Sequence, residues 1–443
     1  MIERRRFAPL DTGAGWTNTG EGEEGPPETA GALAKRKQDL HAQHGLQPDL
    51  IRKVEALGAA AAAADRRANQ AAAREALSRN AFTLALVESL AANAELAAKA
   101  RALALQLYRR TAARGRGPRL RRPDRWLARL GSPGQALMIA RSGLWRPSGP
   151  TLRHRLYDLR EMAAYARRGP HPGLRPRAPL HQAWYLSAPD AAASRYAPLV
   201  HFLVAGASVD RSPSPLFDTR YYRVRNAEAL AAAQLLPFEH FVRLGAAEGR
   251  DPHPLFSIEW YLGQAPDLAE SGENPLTHYL DQGWRRGLSP HPLFDPAWYA
   301  EQLTPDEARE APLVHYLESG WRDGLSPHPL FDARWYLDAN PDVAEGGGEP
   351  LSHFAAAGGP EGRSPGPWFD TAHYVAARGE ALAAGANPLV DYLTGGAWRV
   401  GEARPGFPTT AYLAARPELA RSGETPLEHW ARLAGPPPRS AAG

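Results

Sequence analysis

A ladder of histidines offers the first candidate chemistry in this chain. His201, His240, His278, His315, His353, Asp391 and His429 follow one another at intervals of 39, 38, 37, 38, 38 and 38 residues. Each is the polar residue of a string close to Pro-Leu-x-His-aromatic. Imidazole titrates near neutrality and ligates metals, so such a ladder invites metal binding or acid–base work. Equivalent residues in stacked repeats, however, lie about 10 Å or more apart, the separation of packed helices, and cannot converge on one ion. Asp391 also replaces the histidine without disturbing the frame. The spacing therefore predicts a structural role, with each imidazole hydrogen-bonded to a neighbouring linker.

Three further histidines, His253, His291 and His328, sit in the proline-rich linkers and read as exposed or half-stacked rather than as ligands. The aromatic pairs Trp260/Tyr261, Trp298/Tyr299 and Trp335/Tyr336 could stack on sugars, but at helical spacing most of them are expected in the core. Trp284 and Trp321 lie just beyond a glycine that closes a helix and are better placed for the surface. With His291 and His328 they are the candidate ligand or partner surface. The repeated acids Asp267, Asp306, Asp342 and Glu418 follow proline in a short helix, where a first-turn carboxylate complements the helix dipole.

Few other residues suggest chemistry. GAGWTNTG at 13–20 has the glycines of a phosphate loop but neither a strand before it nor a clear helix after it. No G-x-S-x-G or H-E-x-x-H string occurs, and β-branched strands nowhere alternate with helices. Cysteine is absent, which removes thiol nucleophiles, disulfides and thiolate–zinc sites. No catalytic residue, metal or cofactor is expected.

A basic collar supplies the remaining signal. Residues 1–100 hold 13 basic and 13 acidic side chains, 101–180 hold 19 and 3, and 181–443 hold 20 and 32. These blocks carry 0, +16 and −12, which sum to the +4 of the whole chain. The densest part runs through Arg109, Arg110, Arg114, Arg116, Arg119, Arg121, Arg122, Arg125 and Arg129, with Trp126 among them. Arginines beside an interfacial tryptophan fit an anionic membrane surface. Docking on the acidic array or on an acidic protein fits equally. Nucleic acid is disfavoured, because no recognised motif accompanies the patch.

The elements that must position these residues follow from a second ladder. Tyrosines recur at Tyr185, Tyr222, Tyr261, Tyr299, Tyr336, Tyr374 and Tyr412, at intervals of 37, 39, 38, 37, 38 and 38 residues. Two markers locked to one period define tandem repeats. In one unit Asp295 is suited to N-cap, Pro296 to N1, and Phe294 can staple onto Tyr299. Asn340-Pro341-Asp342 starts a one-turn helix. Asn274-Pro275-Leu276 starts a third helix, which Gly283 is expected to close in a left-handed turn. The Ser-Pro-His-Pro-Leu-Phe linker is extended, since each residue before proline avoids the helical region.

The expected organisation is all-α. It comprises a disordered leader (1–30), a long helical or coiled-coil-like segment (31–114), a basic collar with a degenerate first repeat (115–178), a seven-unit array resembling an α-solenoid (179–435) and a loose tail (436–443). Within 81–107, Phe82, Leu86, Leu90, Leu96, Leu103 and Leu107 keep to one broad helical face, which suggests a helix pair or short coiled coil. No continuous apolar run approaches 18 residues; the longest alanine tract is 59–64. No apolar stretch follows the charged start, so no secretory signal is expected.

The string FDxxWYLxxxPDxAxxGxNPLxHYLxxGWxxGxxPHPLF resembles repeats that accompany glycosyltransferases of bacterial surface-polysaccharide assembly, the rhamnan-synthesis-F-like proteins. It is carried here by Phe331, Asp332, Trp335, Tyr336, Pro341, Asp342, Pro350, Leu351, His353 and Gly358, and it covers about residues 135–435. The resemblance implies a cytoplasmic scaffold or binding module, with a peripheral place at the inner membrane face as its membrane-bound form. Its implied partners are a transferase, a polysaccharide assembly complex or a glycan. The alternative is a transferase-type enzyme, or a fragment of one, with an unrecognised nucleotide-sugar site.

Overall fold

The computed structural model describes residues 48–114, 125–142, 144–145, 151–168 and 180–435. The expected leader and tail lie outside them, as do Arg116, Arg119, Arg121 and Arg122 of the collar. The chain divides into two compact units, Met1–Leu77 and Ser78–Gly443. The described part of the first unit is helix. Among the described residues regular structure is all helical, apart from isolated bridges such as His253 with Phe256 and His328 with Phe331 in the linkers.

Helix α1 (Pro48–Arg114) runs unbroken for 67 residues, where the sequence suggested a helix pair. Proline stands only at its first position and Gly58 is its single glycine, so nothing inside this Ala/Leu/Arg/Glu-rich run stops propagation. By length and composition alone, the stretch Arg66–Ala112 could cross a membrane. The sequence reading missed this because the apolar residues are interspersed with small and charged ones.

Within the second unit, α1 packs on the array through Leu90, Leu105 and Tyr108. Arg109 Nη2 donates to the Glu248 carbonyl at 2.9 Å, Thr111 Oγ1 donates to the Ala269 carbonyl at 2.8 Å, and Arg101 lies 5.2 Å over the Trp260 ring. The face read from the sequence is largely not the one packed on the array. Of its members only Leu90 is buried and Leu86 half-buried, while Phe82, Leu96, Leu103 and Leu107 face solvent.

Helices α2 (Gly131–Ser142) and α3 (Leu152–Arg168) precede the repeats. Arg243 donates to the Arg141 and Ser142 carbonyls at 2.6 and 3.2 Å, holding the C-terminus of α2. In four repeats the opening helix then starts as read, while His181 and Ser257 take the capping place in two others and Pro408 in the last. Asp218, Asp295, Asp332 and Asp370 accept from backbone amides two or three residues on. The Phe294 and Tyr299 rings sit 5.3 Å apart, and Phe217/Tyr222, Phe256/Tyr261, Phe331/Tyr336 and Phe369/Tyr374 repeat that staple.

The closing helix begins at proline and, in four units, widens into a π turn: Phe241–Gly245, Tyr279–Gly283, Tyr316–Gly320 and Phe354–Gly358. Gly283 is therefore right-handed, not the left-handed cap expected of it; Gly287, four residues on, has φ 71°.

Three kinds of contact join the units. Neighbouring linkers run side by side, since each N-cap amide donates to a proline carbonyl of the next linker: His181 to Pro213, Asp218 to Pro252, Ser257 to Pro290, Asp295 to Pro327 and Asp332 to Pro365, at 2.9–3.1 Å. A tyrosine of one unit accepts from the leucine amide that opens the next closing helix, Leu427 N to Tyr392 Oη at 3.2 Å. Tyr165 of α3 does the same for Leu199 at 3.1 Å. Units three apart also touch: Asp295 pairs with Arg432, and His328 Nε2 stands 3.2 Å from Glu428.

Candidate functional site

The histidine ladder is spent on internal bonding, though not with linkers as expected. Each partner is the tyrosine of the same unit. Tyr185 meets His201 Nδ1 at 2.9 Å, Tyr222 meets His240 at 2.8 Å, and Tyr261 meets His278 at 2.7 Å. Tyr299 with His315, Tyr336 with His353 and Tyr412 with His429 continue the series at 2.8, 2.9 and 2.7 Å.

The sixth unit fixes the direction of this bond. There Tyr374 Oη donates to Asp391 at 2.6 Å, and a carboxylate only accepts. In the other units Nδ1 stands against the hydroxyl in the same geometry, and at His278 the Nε2 atom also faces Arg286, which can only donate, at 3.5 Å. The negative charge of Asp391 is met by Arg378 at 2.7 and 3.1 Å. Burial holds His201, His240, His278 and His353 below the ordinary histidine range, so these rings are neutral.

The glycine five residues after the first six ladder positions completes the interlock; after His429 that place is taken by Ala434. A Cβ on Gly245, Gly283, Gly320, Gly358 or Gly396 would stand 1.8–2.0 Å from the tyrosine hydroxyl, and on Gly206 2.3 Å. The Tyr-to-His separation of 16–18 residues is constant enough to keep the two ladders in one frame.

The linker histidines also differ from expectation. His253 and His328 are buried and His291 is half-buried. Each ring accepts at Nδ1 from the amide two residues on, at 3.1, 3.1 and 3.2 Å respectively. Ser214 fills the same role with its hydroxyl at 3.1 Å. Burial pushes His253 down to about 4 and His291 to about 3. His291 and His328 are thus turn-forming groups, not a ligand surface.

The repeated acids acquire arginine partners that the sequence reading did not find. Asp190 pairs with Arg211 at 2.7 Å, Asp267 with Arg286 at 3.2 Å and Asp342 with Arg363 at 2.8 Å. Among the described residues no group of three or more His, Asp or Glu could hold a metal. Of the collar, Arg110 and Arg129 are exposed; Arg114 ends α1, and Arg125 and Trp126 open the turn Arg125–Leu130.

Trp284 and Trp321 are half-buried, each with one ring face covered by its following arginine at 4.3 Å. Arg285 and Arg322 are held there by the Asp281 and Glu318 carbonyls at 2.7 and 2.8 Å. Trp284 additionally lines a cleft of about 290 Å³ with Leu180, His181, Leu280, Arg285, Glu310 and Val314.

This cleft coincides with a break in the repeat. Leu180 stands where later units carry Phe217, Phe256, Phe294, Phe331, Phe369 and Phe407, and His181 stands at the N-cap position of Asp295. Its rim is polar, with His181 Nε2 3.6 Å from Glu310 and Nδ1 3.9 Å from Glu318. Where Asp295 occupies the corresponding position, Arg432 reaches it and lies 5.4 Å over the Trp298 ring. No protein family, curated protein or solved structure matches this chain.

Proposed function

We propose that this protein is a non-catalytic binding module whose repeats form a tight α-solenoid and whose ligand cleft is the one beside Trp284. The observation that carries the reading is the loss of a ring at Leu180, which leaves a hollow at a place where every later unit supplies phenylalanine. The walls of that hollow are Leu180, Leu280, Val314 and the Trp284 side, and its rim carries Asp281, Glu310, Arg285 and His181. An apolar floor with carboxylates and a guanidinium at the edge suits a sugar ring, whose C–H faces are apolar and whose hydroxyls need hydrogen-bonding partners. The repeat resemblance makes a surface polysaccharide the natural source of such a ring and its assembly machinery the natural setting. An anionic membrane at the collar and a transferase partner belong to the same reading.

Calorimetric titration with a panel of neutral oligosaccharides tests it. Wild type should bind at least one, and both Trp284→Ala and Leu180→Phe should abolish binding while leaving the melting temperature within a few degrees. Binding that survives both substitutions would put the site elsewhere. A saturable thermal shift with one nucleotide-sugar and a divalent metal, retained in both variants, would favour the transferase alternative.

A further inference from the structure

The face of α1 turned away from the array carries a second pattern. Phe82, Ser89, Leu96 and Leu103 recur every seven residues, and Leu86, Asn93, Ala100 and Leu107 recur every seven, offset by four. These are the d and a positions of 3.5-residue periodicity over nearly four heptads. Phe82, Leu96 and Leu103 are 63%, 61% and 63% exposed and Leu107 is 41% exposed, although the adjoining side of the same helix is packed on the array and the half-buried Leu86 meets it. An apolar strip of this length on an otherwise docked helix marks an interaction surface.

The geometry points to a second copy of this chain as the occupant, joined in a parallel, in-register two-stranded coiled coil over residues 82–107. Three features favour that occupant over a lipid surface. Charge is balanced along the strip: residues 80–108 contain Glu88, Glu95, Lys99 and Arg101, and the arginines of the collar begin only past its last member. One flank carries Ala85, Ala92, Lys99 and Gln106 and the other Thr83, Leu90, Ala97 and Ala104, with Thr83 and Leu90 buried; Lys99 is the single charge, so two copies meet without like-charge repulsion.

The centre of the strip is polar. Asn93 at an a position would be wasted against acyl chains but pairs with Asn93 of the second copy, the device that fixes register and a two-stranded state. Taking on the order of 100 Å² from each large side chain and adding the alanines, two copies bury roughly 1,000 Å², the lower bound of a specific interface.

Light scattering on the eluting full-length protein reads the mass directly. Wild type should elute at twice 48.2 kDa at high concentration. Leu96→Glu/Leu103→Glu should be monomeric at the same concentration, a rise of at least about a hundredfold in dissociation constant. Leu84→Glu changes a residue that is 58% exposed on the same helix but off the strip, and it should remain dimeric with unchanged helicity. Because the chain has no cysteine, Ala100→Cys should oxidise to a single intermolecular disulfide, as a parallel in-register pair requires. A wild type that stays monomeric up to its solubility limit overturns the proposal. So does a dimer that survives the double substitution, or a monomer whose Leu96→Glu/Leu103→Glu variant loses sedimentation with phosphatidylglycerol vesicles, which would assign the strip to lipid.

Discussion

At five ladder positions an imidazole Nδ1, a tyrosine hydroxyl and the hydrogen of a glycine compete for one small volume. Adding a methyl group there should be costly. Gly283→Ala places Cβ 1.8 Å from Tyr261 Oη, so the ring must move and its bond to His278 must break. The expected loss is about 2–4 kcal/mol in urea unfolding, overpacking plus a buried acceptor left unpaired. Gly348→Ala, with open space around it, should be close to neutral. Tyr261→Phe removes only the hydroxyl and should cost about 1–3 kcal/mol. The linker histidines predict a pH effect of definite sign. Their folded pKa values, about 4 for His253 and about 3 for His291, lie below the ordinary 6.5, so the unfolded chain binds more protons. Their contribution is intact above pH 6.5 and lost as pH falls toward 3–4. His291→Ser keeps an acceptor, as Ser214 does, and removes the titration. Its unfolding midpoint should fall less steeply with acid than that of wild type, and parallel curves would refute the assignment. The two ladders were legible in the sequence, as were the caps, because all are local signals. The hydrogen bond between the ladders was not, because spacing gives the frame and says nothing of which side chains turn toward each other.

The helices of one unit are too short to hold a core alone, and most closing elements have a single turn before the π widening. What fixes them is the neighbour: linker amides on linker carbonyls, and a tyrosine hydroxyl on the next leucine amide. Contacts three units apart add a further layer. His181 faces Glu318 in one pair of units, and Asp295 faces Arg432 at the corresponding positions of another, with the carboxylate on the other side of the contact. The last helix, Pro426–Ala434, is thereby clasped twice, by Asp295 through Arg432 and by His328 through Glu428. Glu428→Ala leaves a buried imidazole without its carboxylate and should cost about 3 kcal/mol, whereas Glu345→Ala on an exposed helix end should cost little. Hydrogen exchange should locate the loss in 409–434. Uniform loss across all units would mean that the clasp serves the whole array and not its last member. None of this was readable beforehand, because a repeat period states which residues are equivalent but not how many units complete a turn.

Composition, at the scale of the whole chain, suggested a boundary at the basic collar, whereas compactness divides the chain at Leu77/Ser78, inside a single uninterrupted helix. The physical reason lies in what the helix touches. From Thr83 onward it contributes buried side chains to the array core, ending with Leu105 and Tyr108, and its carbonyl and guanidinium contacts continue to Thr111. The sequence reading placed an apolar stripe on this helix correctly in kind but chose the wrong side, because two stripes lie about 120° apart and leucine alone does not say which one meets the array. A chain beginning at Ser78 keeps Leu90, Leu105 and Tyr108 and the contacts of Arg101, Arg109 and Thr111 with the repeats, and should therefore retain the cooperative unfolding of the array. A chain beginning at Thr111 should lose several kcal/mol or fail to fold, because Leu90, Leu105 and Tyr108 go with the deleted segment and Trp260 loses Arg101. If the two truncations behave alike, α1 is an appendage to a self-sufficient array. If they separate, the repeats depend on a helix outside their own period, and the array's stability is set by a segment that no repeat motif marks.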